Sequence, residues 1–391
     1  RMKYAIVNGK VLTSRNELVD ESLLIEDRHI GGIGTCYACQ IIDAEGCLVM
    51  PGIIDMHGDA FEKLISPRTG CFLPLDIALY EADRQMMAGG ITTGYLSFTL
   101  TWETHNRLRS SEGAQKFHEV YTSCRKSLQA ACKTHLRFEI YHLEAIPLVQ
   151  SWLENRQVDM ISFNDHLPYF QTLTQDKQKL QELAVRNGCS PDEILRMNEA
   201  VARLKPKALE GVKTLAGTCR NNEIIMASHD EEDIATRQWY KAVGCRICEF
   251  PCNEEVAAYA VDHHDAVVMG APNALNGGSL YSRLSVRECV DKRICSILAS
   301  DYYYPAQLQA VFLLAELGIC DVAHGWDLVS KNAARALRLA DRGTLEPGKR
   351  ADVVIVDTTS AKRPSVRATI VNGELAYSSR PYCLTPYRNH F

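Results

Sequence analysis

The sequence predicts an α/β protein: a (β/α)8 barrel of the TIM type with a small β-sandwich formed by the N- and C-terminal segments. Three observations predict it. Short apolar runs alternate with helical patterns through the middle of the chain. Most of those runs are apolar throughout, as parallel strands covered on both faces should be. Both ends of the chain are instead rich in short strands and tight turns.

Composition narrows the function classes. The chain has 391 residues, a formal net charge of −5, 46% hydrophobic residues and 23% charged residues. That is ordinary for a soluble globular protein. The small acidic balance gives no reason to expect nucleic-acid or membrane binding, and no run of about 18 apolar residues marks a membrane span. The N-terminus lacks a charged segment followed by a long apolar core, so no secretory leader is expected and a cytoplasmic location follows. The 15 cysteines are scattered and odd in number, which reads as reduced core thiols.

The elements follow in order. Tyr4-Ala5-Ile6-Val7 runs into Asn8-Gly9, a hairpin signal, and then into Lys10-Val11-Leu12. Residues 22–26 and 40–43 read as further strands. Residues 350–357 and 369–374 have the same texture, the second again with Asn-Gly. A β-domain of residues 1–50 plus 347–391 is therefore expected around a barrel of residues 51–346. The barrel strands are expected at 53–57, 91–98, 136–142, 160–166, 224–229, 246–250, 266–270 and 296–301. Helical stretches at 113–131, 190–202, 231–243 and 305–317 lie among them. Eight strands over about 250 residues fit a barrel. A doubly wound sheet is the competing arrangement, but no GxGxxG follows an early strand. Residues 172–213 are polar and helical, and read as a helical insertion over one barrel mouth.

Chemistry gathers where these strands end. The first ends on His57 and Asp59, which leave the strand on the same side. The third holds Glu139 and ends at His142. The fourth ends at Asn164-Asp165-His166, the fifth at Ser228-His229-Asp230-Glu231, and the eighth at Ser300-Asp301. In a barrel these ends meet on one face. Buried carboxylates without a counter-charge are costly, and a metal would remove that cost. Histidine and carboxylate together suit zinc, manganese or iron. His57, Asp59, Glu139, His166, His229 and Asp301 are the expected ligands. They are enough for two ions sharing a carboxylate, for which Glu139 is the candidate. Asp301 is the expected general base. His142 stands at odd spacing from Glu139 and is expected to orient a ligand rather than bind metal.

A strand-end His-x-Asp, further strand-end histidines and a last-strand Asp resemble the amidohydrolase superfamily, as does the return Gly343-Thr344-Leu345-Glu346-Pro347-Gly348-Lys349-Arg350-Ala351-Asp352. A closer resemblance is to the PhnM-type phosphonate-metabolism enzymes, which are diphosphatases of α-D-ribose 1-methylphosphonate 5-triphosphate. The matching segments include His57-Gly58-Asp59-Ala60-Phe61-Glu62-Lys63 with Ser66-Pro67-Arg68, and His135-Leu136-Arg137-Phe138-Glu139. Others are Asn164-Asp165-His166, Ala227-Ser228-His229-Asp230, Gly270-Ala271-Pro272-Asn273, Gly277-Gly278-Ser279 and Ser300-Asp301-Tyr302-Tyr303. They run in the family's order over nearly the whole chain. The resemblance implies cleavage between the α and β phosphates of a phosphorylated small molecule, with release of diphosphate. Lys63 and Arg68 follow directly on the metal motif and suit phosphate oxygens. Asn273 and the glycines after it would let backbone approach the substrate. A homo-oligomer is compatible with this reading.

The chain departs from the family at three places. Gly58-Asp59-Ala60 replaces Thr-Asp-Asn. Asn276 stands for an Arg and Leu280 for a His around the double glycine. Leu167-Pro168-Tyr169 replaces a Pro-Gly-Gln run. The changes at Asn276 and Leu280 favour an alternative, hydrolysis of a C–N bond by a deaminase or deacylase, while Lys63 and Arg68 oppose it. Retention of the six ligands opposes a third class, a metal-free scaffold.

Overall fold

The computed structural model describes residues 3–35, 40–68, 70–102, 107–277, 284–359, 363–380 and 385–386. Gly278, Ser279 and Leu280 lie outside the described residues. Seven strands open the chain: β1 (Lys3–Val7), β2 (Lys10–Leu12), β3 (Leu18–Val19), β4 (Leu23–Glu26), β5 (His29–Ile33), β6 (Gln40–Asp43) and β7 (Leu48–Pro51). Eight follow: β8 (Ile53–Gly58), β9 (Ile91–Leu100), β10 (Ala131–Glu139), β11 (Met160–Asn164), β12 (Ile225–His229), β13 (Ile247–Glu249), β14 (Ala266–Gly270) and β15 (Ile297–Ala299). The chain ends in β16 (Val353–Asp357), β17 (Ser365–Val371), β18 (Glu374–Ser378) and β19 (Thr385–Pro386).

Strands β8 to β15 form one eight-stranded sheet in sequence order. A parallel bridge between Gly58 and Asp301 brings its first and last members together, so the sheet is a near-closed barrel. The strands β8, β9 and β11 are buried along their whole length, which explains why they read as continuous apolar runs. Helices fill the intervals, as the sequence predicts. Four of them, Leu167–Gln175, Lys177–Asn187, Pro191–Ala202 and Lys205–Asn221, separate β11 from β12. The helical run begins earlier than expected, because His166 already stands at the N-terminus of the first helix and proline follows at its second position. The helix Pro191–Ala202 is closed by a reciprocal capping box between Ser190 and Glu193.

The terminal segments build two further sheets, one ordered β19-β6-β1-β4-β5 and one ordered β18-β17-β16-β7-β2-β3. Tyr4, Ile6, Leu23, Ile25 and Ile30 from the first meet Val11, Val49, Val353, Ile355 and Ile370 from the second in one apolar core. This is the expected sandwich. One detail differs. Asn8-Gly9 does not make a hairpin, since β1 and β2 belong to different sheets. A side chain at Gly9 would meet Val49 at 2.7 Å and Ala44 at 2.9 Å, so the chain crosses between sheets where only glycine fits. Asn372-Gly373 does make the hairpin, joining β17 to β18 with both residues at positive φ (52° and 81°).

The described chain divides into two compact units. One is Arg1–Leu96 with Ser123–Lys133 and Ala266–Phe391, the other Ser97–Thr122 with Thr134–Asp265. Among the described residues no helix is long and apolar enough to cross a membrane.

Candidate metal centre

The expected ligands fall into two clusters, one in each unit. In the first, β8 carries His57 to its end and Asp59 follows one residue beyond it. The ladder fixes both against residue 301: Asp301 N–H donates to the His57 carbonyl and Asp59 N–H to the Asp301 carbonyl, each at 2.9 Å. Donor atoms of His57, Asp59 and Asp301 lie within 4.8 Å of one another. Asp301 sits at φ 57°, in the left-handed region that a non-glycine residue seldom adopts. Strain of this kind gathers at functional sites.

Beneath this cluster is a carboxylate to which the sequence reading gave no role. Asp55 is 1% exposed. It accepts from Ser300 N–H at 2.9 Å and from the Ser300 hydroxyl. Burial pushes its carboxyl up to about 6 against the opposing pull of the Ser300 hydrogen bonds. The signal was present: an acid inside an apolar strand, two residues before His57 and so on its face. Asp55 also accounts for Gly58. A side chain at 58 would meet the Asp55 carboxylate at 2.5 Å and the Ser300 hydroxyl at 3.1 Å. Gly58→Ala is therefore expected to cost about 1–3 kcal/mol through overpacking, read by urea unfolding; a variant as stable as the parent would show that Asp55 can swing aside freely.

Three residues expected to bind substrate lie in the same unit. Lys63, on the short helix Phe61–Ile65, holds its ammonium 4.8 Å above the Tyr302 ring. Arg68 is exposed and makes a backbone bridge to Cys71. Asn273 lies on the helix Ala271–Asn276, which starts where β14 ends; Gly270 there is level with Ala299 of β15.

The second cluster is a row. Register pairs Glu139 with Asn164, Asn164 with His229 and His229 with Glu249 across four neighbouring parallel strands. His166, just past β11, points one ring nitrogen at Glu139 and the other at Asp230, the latter at 2.8 Å. His229 Nδ1 is 2.7 Å from the same Asp230 oxygen. Donor atoms of His166, His229 and Asp230 lie within 4.8 Å of one another. Burial alone would lower the proton affinity of His166, but Glu139 and Asp230 reverse this and hold it well above the ordinary imidazole range. Burial would likewise raise Asp230, yet His229 and His166 keep it well below the usual carboxylate range. The site thus demands positive charge between two carboxylates. Two histidines and a carboxylate with an open position are a fitting set for a divalent ion, as are His57, Asp59 and Asp301.

His142 falls beyond the end of β10, in the turn, where its Nε2 is 2.9 Å from the Ser111 hydroxyl. Glu249, level with His229 and fully buried, was missed by sequence reading. It lies 3.6 Å from His135 Nε2, whose Nδ1 is 2.9 Å from the Ser97 hydroxyl. Cys245 and Cys248, despite their Cys-x-x-Cys spacing, are free and buried, and burial raises both thiols. Their thiols are engaged elsewhere, Cys245 donating to the Ala227 carbonyl and Cys248 to Glu231 at 3.0 Å.

Comparison with known proteins agrees with this architecture. The model of the amidohydrolase family matches residues 319–377. Over 358 residues, 90% of this chain and 94% of the relative, the sequence is 30% identical to alpha-D-ribose 1-methylphosphonate 5-triphosphate diphosphatase of Escherichia coli K12. It is 25% identical to adenine deaminase of Brucella suis, covering 88% of this chain but 51% of that one. N-acetylglucosamine-6-phosphate deacetylase from Pasteurella multocida shares the fold with a TM-score of 0.65 over 96% of this chain and 99% of its own, at 12% identity. A near-closed barrel whose ends meet beside His57 and Asp301, and a relative 30% identical over 94% of its own length, leave one assignment: the chain belongs to the amidohydrolase superfamily and is a hydrolase.

Proposed function

We propose that the protein hydrolyses the α–β phosphoanhydride of a ribosyl 5-triphosphate, α-D-ribose 1-methylphosphonate 5-triphosphate or a close analogue, and releases diphosphate. The observation that carries this reading is the pair of exposed cations, Lys63 and Arg68, directly after the His57–Asp59 motif and in the same unit. The diphosphatase relative supports it.

His57, Asp59 and Asp301 would hold one divalent ion, and His166, His229 and Asp230, with Glu139 behind His166, a second. Zinc, manganese or iron bound there would supply Lewis acidity and make water a stronger acid. The protein's own residues do the rest. Asp301 accepts the proton of the attacking water. The water oxygen bonds to the α phosphorus, the bond to the bridging oxygen breaks, and diphosphate leaves with the electron pair. Lys63 and Arg68 offset the charge on the departing phosphates, and Tyr302 holds the Lys63 ammonium in place. Asn273 would contact the remainder of the substrate. His142, bonded to Ser111, stands outside both ligand sets.

The test is diphosphate release from the ribosyl triphosphate by protein loaded with zinc or manganese. Release supports the reading; turnover of C–N substrates alone would replace it with deamination or deacylation. The adenine deaminase relative and the exposed Asn276, where the diphosphatase pattern has an arginine, favour that second reading. Lys63→Ala is expected to raise KM for the triphosphate about tenfold or more, the worth of one charged hydrogen bond. The KM for an uncharged substrate should stay within error. Equal effects on both would remove Lys63 from phosphate binding.

A further inference from the structure

A second charged site lies within the first unit, at the other end of the barrel strands. A cavity of about 540 Å³ is walled by Lys331, Arg335, Arg338, Arg342 and Lys349, with Glu346 among them. Its position is fixed by two hydrogen bonds. The hydroxyl of Ser330 donates to the Gly52 carbonyl, just ahead of β8, at 3.1 Å. Arg342 Nη1 donates to the Thr93 hydroxyl, near the start of β9, at 3.0 Å. His57, Asp59 and Asp301 stand where β8 and β15 finish, so the cavity is separate from the candidate metal centre.

Charge in this cavity is unbalanced. Lys331 faces Asp327 at 3.7 Å, Arg342 faces Asp341 at 2.8 Å and Lys349 faces Glu346 at 2.9 Å. Arg335 and Arg338 have no carboxylate within ion-pair distance among the described residues, and both are exposed. Guanidinium does not lose its proton near neutral pH, so two positive charges remain uncompensated. Like charges confined in a recess raise the local potential and attract anions. Arginine forks match phosphate oxygens two at a time. The volume falls in the range of small-molecule sites and exceeds what one phosphate fills. We propose that this cavity binds a multivalent phosphate anion, such as inorganic diphosphate or the phosphate chain of a nucleotide.

The test is calorimetric titration of the metal-loaded protein with inorganic diphosphate and, separately, with ADP. Three proteins are compared: wild type, Arg335→Gln/Arg338→Asn and Lys63→Ala/Arg68→Ala. Asparagine is chosen at 338 because the residue there has φ 55°, which asparagine tolerates. The cavity component is expected to weaken by about a hundredfold or more in the Arg335/Arg338 variant, since two charged contacts are lost. The same component should persist in the Lys63/Arg68 variant. Basal hydrolysis should be unchanged in the Arg335/Arg338 variant. Tighter binding of ADP than of diphosphate would identify a nucleotide site, and equal binding a polyphosphate site. An isotherm of the Arg335/Arg338 variant that superimposes on wild type for both ligands overturns the proposal, whatever the outcome of the hydrolysis assay.

Discussion

Asp301→Asn is expected to lower kcat by about a thousandfold or more while leaving the fold and most of the bound metal in place. The loss of a positioned base accounts for about 10²–10⁴ of rate. Asparagine keeps an oxygen where the carboxylate stood but cannot accept the proton. It is also a residue that tolerates the left-handed backbone at this position (φ 57°), so the ladder to His57 and Asp59 should survive. Diphosphate release and metal content measured on the same preparation check both halves. A mutant that turns over at a near-normal rate would rule Asp301 out as the base. A mutant that loses all metal would mean that its rate reports ligand loss rather than proton transfer.

Arg237→Ala is expected to destabilise the protein by about 3–5 kcal/mol, the cost of breaking a buried ion pair from one side. Arg237 is 0% exposed. Its guanidinium donates to the Ser228 hydroxyl at 2.7 Å, to Glu231 at 3.1 Å and to the Cys245 carbonyl at 2.6 Å, and lies 3.6 Å from Asp265. Removing it leaves the buried Glu231 with the Cys248 thiol as a partner but no cation, while Asp265 keeps Lys241 at 2.7 Å. Urea unfolding of Arg237→Ala and of Arg237→Ala/Glu231→Gln separates the causes. The double variant should recover part of the loss. If it does not, packing rather than charge dominates. Because Ser228 immediately precedes His229, metal affinity of the single variant should fall as well.

The fold was legible because parallel strands buried on both faces leave an unmistakable apolar run. Residues 53–57 and 266–270 were placed almost to the residue as β8 and β14. The same property hid part of the site. In a continuous apolar strand no alternation separates residues facing the barrel axis from those facing the helices. Glu249 therefore read as the tail of one more strand, although its register with His229 puts it in the polar row. Asp55, by contrast, stood out inside β8 as an acid in an apolar run, and its i, i+2 relation to His57 was the signal that went unused. His142 was counted at the end of a strand that stops at Glu139, and the turn that follows gives it Ser111 as its partner. Register between strands distant in sequence is a tertiary property, so the row across β10 to β13 could be read only from the structure. The Asn8-Gly9 turn was misread for a related reason: turn chemistry is local, but which sheet each flanking strand joins is not.

The seam between β8 and residue 301 has a consequence for how activity and folding are linked. His57 comes from the first strand of the barrel, Asp59 from just beyond it and Asp301 from just beyond the last, and the backbone bonds that hold them are also the bonds that shut the ring. Contacts between such remote parts of a chain form late, after the entropy of closing a long loop has been met. A chain that stalls short of this step would keep most of its sheet and its helices while lacking one whole set of the proposed ligands. On the proposed assignment of His57, Asp59 and Asp301, catalytic competence becomes a gauge of ring completion. Partial opening at this seam, whether by heat or denaturant, should silence the enzyme before circular dichroism registers any loss of structure.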